Sequence, residues 1–168
     1  MSKKFLGILA LILTAGVILA CGEAATPATV VNGTVTAAPT PKPFKVGEHV
    51  KVSYWVVTIN SVKTNKGDGE FNVPKGVYLV IDASFQNTDS QSHTISSLLQ
   101  FALSDSTGQK YDTEIVVLTG IHEPDGDVQP GKTTRGQTVY DVPKNLKAFE
   151  FTFEEPFSNA AATWDLTI

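Results

Sequence analysis

Residues 122–127 read His122-Glu123-Pro124-Asp125-Gly126-Asp127, three carboxylates within five positions, shortly before Pro130-Gly131. Oxygen donors at that density are what a calcium site is made of, because calcium takes about six to eight oxygens in a flexible geometry. Glu123, Asp125 and Asp127 are therefore the candidate metal ligands, with carbonyls and water to complete the shell. The EF-hand register and its distal Glu are missing, and Asp-Gly by itself marks a turn, so the expected outcome is a solvated acidic loop. Asp68 and Glu70 form a second acidic turn of the same kind.

Other chemistry finds little to work with. Nucleophilic catalysis needs Ser, Cys or Thr beside a base that a third group orients. His49, His93 and His122 are widely spaced in turn-like or strand-edge settings and are expected at the surface. The sequence contains no Gly-x-Ser-x-Gly elbow, phosphate loop, dinucleotide fingerprint or helical His-x-x-x-His pair. The expectation is a protein without catalytic residues and without a cofactor. Tyr54, Tyr78 and Tyr111 are the aromatics expected on outer faces, where rigid amphipathic rings anchor partners, with the core the equal alternative for Tyr111. The longest connections, at about 65–73 and 115–129, are the loops expected to bind.

Charge narrows the partners. Thirteen Lys and Arg stand against 17 Asp and Glu, a net of −4. That balance lacks the basic stripe with which a nucleic-acid binder displaces counterions, so nucleic acid is excluded as the expected partner. A single Cys rules out an internal disulfide framework and a four-Cys zinc site.

That Cys has an address instead. Lys3 and Lys4 precede an uncharged apolar run over residues 5–20, the n-region and h-region of an export signal. The run is 16 residues long. As a helix rising about 1.5 Å per residue it covers about 24 Å of a roughly 30 Å hydrocarbon core, short for a permanent span. It ends in Ile18-Leu19-Ala20-Cys21, which resembles the lipobox of bacterial lipoproteins, although Leu19 stands where a smaller residue is commoner. The resemblance implies a diacylglyceryl group on the thiol of Cys21, removal of residues 1–20 and, as is usual in that family, acylation of the new amine with a palmitate-type chain. Cys21 is thus the expected lipid-attachment residue, and the protein is expected at the cell membrane, facing outside the cytoplasm. Without Lys3 and Lys4 the balance becomes 11 bases against 17 acids, a net of −6. Anionic head groups should repel such a domain, so membrane contact is expected through the acyl chains alone.

Residues 21–43 follow as the lipidated Cys and an Ala/Thr/Pro-rich linker. Pro27, Pro39, Pro41 and Pro43 remove backbone donors, and no periodic apolar face is present. Extended at about 3.1 Å per residue, the 22 residues of 22–43 could lift a domain up to about 70 Å from the bilayer. The Asn32-Gly33-Thr34 sequon is expected to be incidental.

Residues 44–168 alternate apolar and polar side chains with period two, the mark of strands with one buried face. Val77, Leu79, Ile81, Ala83 and Phe85 share a face opposite Tyr78, Asp82, Ser84 and Gln86. Phe149, Phe151 and Phe153 share one opposite Glu150, Thr152 and Glu154. Trp55, Val57 and Ile59; Leu99, Phe101 and Leu103; Tyr140 and Val142; and Trp164, Leu166 and Ile168 repeat the pattern. Val62 is out of phase with Ile59, which predicts a bulge near Asn60. Asp105-Ser106-Thr107-Gly108 and Gln129-Pro130-Gly131 have the residues of type I and type II turns. Seven to eight short strands without helical crossovers predict an all-β, immunoglobulin-like antiparallel β-sandwich.

Read in order, these motifs resemble a family of immunoglobulin-like domains of unknown function found in bacterial lipoproteins and secreted proteins, often mislabelled as telomeric repeat-binding factor-like. The resemblance is carried by Phe44-Lys45-Val46-Gly47-Glu48, Trp55-Val56-Val57-Thr58-Ile59, Pro74-Lys75-Gly76-Val77-Tyr78-Leu79-Val80 and Phe85-Gln86-Asn87-Thr88. It continues through Phe101-Ala102-Leu103-Ser104-Asp105 with Gly108 and Tyr111, and through Pro130-Gly131 with Gly136 and Tyr140-Asp141-Val142-Pro143. It implies a two-sheet sandwich on a lipid tether and no catalytic residues. The expected function is a membrane-anchored, non-enzymatic interaction module with a protein or cell-envelope partner. A small-ligand or calcium carrier using the 115–129 loop is the alternative.

Overall fold

The computed structural model describes residues 42–168. The signal segment 1–20, Cys21, Asn32 and linker residues up to 41 lie outside the described residues.

The period-two segments form strands because their β-branched and aromatic residues fit a pleated, half-buried surface. In chain order they are β1 (Phe44–Lys45), β2 (His49–Val52), β3 (Trp55–Asn65), β4 (Val77–Asn87), β5 (His93–Ile95), β6 (Phe101–Asp105), β7 (Lys110–Tyr111), β8 (Gly126–Val128), β9 (Thr133–Val142), β10 (Ala148–Glu155) and β11 (Ala160–Thr167), with one helical turn, α1 (Ser97–Gln100). Seven of the strands have four residues or more. One sheet has the order β2-β3-β4-β9, the other β1-β11-β10-β6-β7, and β5 pairs with β8 in a small third sheet. Every ladder is antiparallel except β1 with β11, a two-residue parallel pair in which Phe44 lies opposite Trp164. The chain is an all-β sandwich of the immunoglobulin-like kind.

The core is the meeting of the two inner faces. Trp55, Val57 and Ile59 of β3, Leu79, Ile81 and Phe85 of β4 and Tyr140 of β9 pack against Phe101 and Leu103 of β6, the three Phe of β10, and Trp164 and Leu166 of β11. Phe85 stacks on Phe101 at 5.2 Å, and Phe101 meets Phe151 edge-on at 5.4 Å. Each such side chain contributes about 1.5–3 kcal/mol of burial, an upper figure because the unfolded chain is already partly collapsed.

Local geometry follows the residue chemistry. The β3–β4 register shifts between Ile59 and Ser61, the bulge that puts Val62 out of phase. Gly108 N–H donates to Asp105 C=O at 2.9 Å, closing the turn after β6. Lys132 N–H donates to Gln129 C=O at 3.0 Å around Gly131, whose φ of 70° suits the third position of a type II turn. Asn87 ends β4 by accepting from Asp89 N–H while its amide donates to Gln91 and Val128 carbonyls.

Two expectations are corrected. Leu99 is not a core-facing strand residue: it is 77% exposed on α1, and the buried members of that turn are Ser97 and Gln100. The polar pair turns inward because Gln100 finds buried acceptors there, as Glu155 shows below. Nor is the second face of β4 open to solvent. Tyr78 is only 5% exposed, because Val116, Leu118 and Ile121 pack over Tyr78, Val80 and Val139. The segment bringing them runs along the free edge of β9, where Glu114 N–H donates to Val139 C=O and Gln137 N–H to His122 C=O, both at 2.7 Å. A sheet edge that could template pairing is thereby covered.

Candidate functional site

The loops after β3 and after β7 are the long connections, and they meet at one end of the sandwich. The first is folded by its own polar residues. Gly67 has a φ of 79°, and a Cβ there would lie 1.8 Å from Asn72 C=O, so only glycine fits. Asp68 accepts from the N–H groups of Glu70, Phe71 and Asn72 and from the Asn72 amide. These bonds, that from Glu70 N–H foremost, hold its carboxyl down at about 2. Asn72 then reaches the second loop as a strand would: its amide donates to Val117 C=O at 3.0 Å and its carbonyl accepts from Val117 N–H at 3.2 Å. With the two loops so joined, Phe71 is 86% and Val117 89% exposed, and Ile115 and Val73 of the same loops are exposed as well. Scattered apolar side chains on a surface mean little, but these four belong to two loops tied to each other.

Behind the first loop lies a cleft of about 510 Å³, lined by Thr64, Lys66, Val73, Pro74, Gly76, Val77, Lys144 and Lys147. Its wall is fixed by Asp141, which accepts from Lys75 N–H at 2.6 Å and Gly76 N–H at 2.9 Å.

The acidic loop does other work. Asp125 accepts from Ser97 N–H and, at 2.9 Å, from Ser97 Oγ. Asp127 accepts from Thr94 Oγ1 at 2.5 Å. Glu123 has its carboxyl pushed up by burial and by the neighbouring carboxylate of Asp125. The loop's carboxylates thus tie it to α1 and β5. Among the described residues no group of three or more His, Cys, Asp or Glu is arranged to hold a metal. Gly136 permits the approach: a Cβ there would meet Pro124 N at 2.3 Å. Glu123, Asp125 and Asp127 are exposed to solvent, and Asp125 and Asp127 also strap the loop to α1 and β5.

The histidines also resolve. His49 is exposed, with Nδ1 2.7 Å from Thr58 Oγ1. His122 is exposed on the strap. His93, expected at the surface, is instead half-buried: its ring stacks on Tyr54 at 3.6 Å and its Nε2 lies 2.7 Å from Asp89. Tyr54 and Tyr111 are partly buried, and Tyr111 donates to Asp105 at 2.8 Å, so none of the three predicted tyrosines is a free anchor.

Three groupings could not be foreseen from spacing. Glu155, 2% exposed, accepts from the Trp55 indole at 3.0 Å and the Gln100 amide at 3.3 Å. Asp82 receives Arg135 Nε at 2.8 Å, Gln137 at 2.9 Å and Asn60 at 2.8 Å. Burial raises the Asp82 carboxyl, but these donors outweigh it and the net shift is downward. Lys66, Lys144 and Lys147 meet from two separate connections. Only the charges themselves were visible beforehand.

Among the described residues no helix is long and apolar enough to cross a membrane. No curated protein matches the sequence. The fold is similar to that of a candidate lipoprotein, ycdA, from Bacillus subtilis, with a TM-score of 0.61 and 13% identity over 71% of this chain and 38% of that one. It is similar to an uncharacterized β-sandwich protein from Clostridium difficile, with a TM-score of 0.52 and 20% identity over 74% and 94%. The secreted protein MPT63 from Mycobacterium tuberculosis gives a TM-score of 0.53 and 14% identity over 75% and 99%. At such identities the likeness is one of fold. Residues 44–162 match the model of a domain of unknown function, DUF4352, and the chain belongs to that family.

Proposed function

We propose that the protein is a lipid-anchored, extracytoplasmic and non-enzymatic interaction module, which docks a protein or cell-envelope partner at the end of the sandwich where the 66–74 and 113–121 loops meet. The observation that carries this reading is the Asn72–Val117 pair, which holds the two loops together while Phe71 and Val117 stay almost fully exposed. Preorganised apolar side chains bind without paying the ordering cost of a floppy loop. The polar groups elsewhere are already engaged: Asp125, Asp127, Glu155 and Asp82 all hold the chain together. The export signal, the lipobox-like Cys21 and the described lipoprotein and secreted character of two fold neighbours support an outward-facing location. Two acyl chains suffice for stable anchoring where one is marginal.

The test is photo-crosslinking in intact cells from a probe placed at Ile115. A discrete protein or wall adduct should form and should be lost in Phe71→Ser with Val117→Ser, while Cys21→Ser should abolish fatty-acid labelling. Adduct formation indifferent to the double substitution overturns the docking surface, and labelling that persists in Cys21→Ser overturns the anchor.

A further inference from the structure

The cleft behind the 66–74 loop runs against the character of the molecule around it. The chain is acidic, yet Lys66, Lys144 and Lys147 line this cleft and no carboxylate does. Among the described residues the ion pairs are His93 with Asp89 and Arg135 with Asp82, so these three ammonium groups are not paired. Asp141 is turned to the N–H groups of Lys75 and Gly76, and Asp68 is turned to its own loop. An anion in the cleft would meet three cations and no carboxylate, an attraction that nothing in the lining opposes. The rest of the lining is Thr64, Gly76 and the apolar Val73, Pro74 and Val77, and a Cβ on Gly76 would meet Val142 C=O at 2.0 Å, so backbone packs tightly behind it. A cleft of about 510 Å³ lies within the roughly 300–1,000 Å³ of small-molecule sites.

We propose that this cleft is a binding site for a phosphate ester carrying an apolar body, the phosphate held by Lys66, Lys144 and Lys147 and the apolar part lying on Val73, Pro74 and Val77. Phosphate is favoured over a carboxylate because a monoester brings about −1.5 to −2 charge and three acceptor oxygens to three cations, and lysine serves phosphate as a point charge. The same monoester is found in a free phosphate ester and in the head group of phosphatidic acid. The cleft shares Val73 and the 66–74 loop with the docking surface, but Phe71 and Val117, on which the docking surface rests, do not line it.

The full chain is titrated with hexyl phosphate, hexanoate and inorganic phosphate. Hexyl phosphate should bind at least tenfold more tightly than either of the others, and more weakly as salt rises. Lys144→Ala with Lys147→Ala should lower its affinity at least tenfold with an unchanged circular dichroism spectrum, since both side chains are exposed. Lys132→Ala, at the other end of β9, should have no effect. Phe71→Ser with Val117→Ser should leave this titration unchanged, so failure of the docking surface and failure of the cleft are read separately. Given hexyl phosphate binding, lysine-dependent capture by vesicles containing phosphatidic acid but not by phosphatidylcholine vesicles assigns a head-group source, and indifference to both assigns a free ester. Hexyl phosphate binding no tighter than hexanoate, or unaffected by the double lysine substitution, overturns the site.

Discussion

Trp55 donates its indole N–H to the carboxylate of Glu155 at 3.0 Å, across 100 positions of sequence and from one sheet of the sandwich to the other. Glu155 is buried and takes a second donor from Gln100, which makes it the polar rivet at the end of the core where β3 and β10 meet. Such a network is stabilising only while every member is satisfied.

Glu155→Leu should leave buried donors unpartnered and cost about 1–3 kcal/mol, read as a lower urea midpoint. Glu155→Gln should cost less and change a spectroscopic signal. The Tyr54 hydroxyl is pushed up to about 12 by burial first and by the neighbouring carboxylate of Glu155 next. Removing that charge should bring Tyr54 ionisation, followed by ultraviolet difference absorbance, toward lower pH. An unchanged titration would show that Glu155 does not act on Tyr54.

Phe151 is fully buried in β10, opposite Leu103 in the register and 6.3 Å from Trp164. Phe151→Ala should open a cavity between the sheets and cost about 3–5 kcal/mol in chemical denaturation. A loss below about 1 kcal/mol would contradict this packing.

Acid should weaken the fold through two turn carboxylates. Asp105, whose ordinary value is 3.8, is held down at about 2 by the Thr107 hydroxyl foremost and by Tyr111 and backbone N–H groups, and Asp68 is held at about 2 by its loop. A carboxyl lowered in the folded state stabilises it above the unfolded pKa and loses that contribution as pH falls through the folded one. Stability should therefore fall between about pH 4 and pH 2. Asp105→Asn should flatten the fall; urea midpoints with the same pH slope in both proteins would sink this assignment.

Millimolar calcium should raise the melting temperature no more than magnesium at matched ionic strength, because Asp125 and Asp127 are committed to Ser97 and Thr94. Asp125→Ala should instead loosen the strap, by about 1 kcal/mol. A calcium-specific rise abolished by Asp125→Asn with Asp127→Asn would reinstate the metal-carrier reading.

Period-two alternation determined by itself that Trp55, Val57 and Ile59, Leu79 to Phe85, and the three Phe of β10 face a common core, because the side-chain direction of a strand is set by parity alone. Turn chemistry was equally local: Asp105, Gly108, Asn87 and Pro130-Gly131 act within a few residues of themselves. The Ile59–Ser61 bulge was visible as a break in phase. What only the tertiary structure decided depends on contacts across tens of positions, for which parity carries no information. Tyr78 alternates as an outward residue and is buried because a loop some forty residues later covers it. Leu99 has the right parity but falls on a helical turn whose polar Gln100 has a buried partner 55 positions away. Asp125 and Asp127 look like ligands until Ser97 and Thr94, about thirty residues earlier, arrive to engage them. The three-lysine cleft arises in the same way, since Lys66 meets Lys144 and Lys147 only when β3 and β9 are brought to the same end of one sheet.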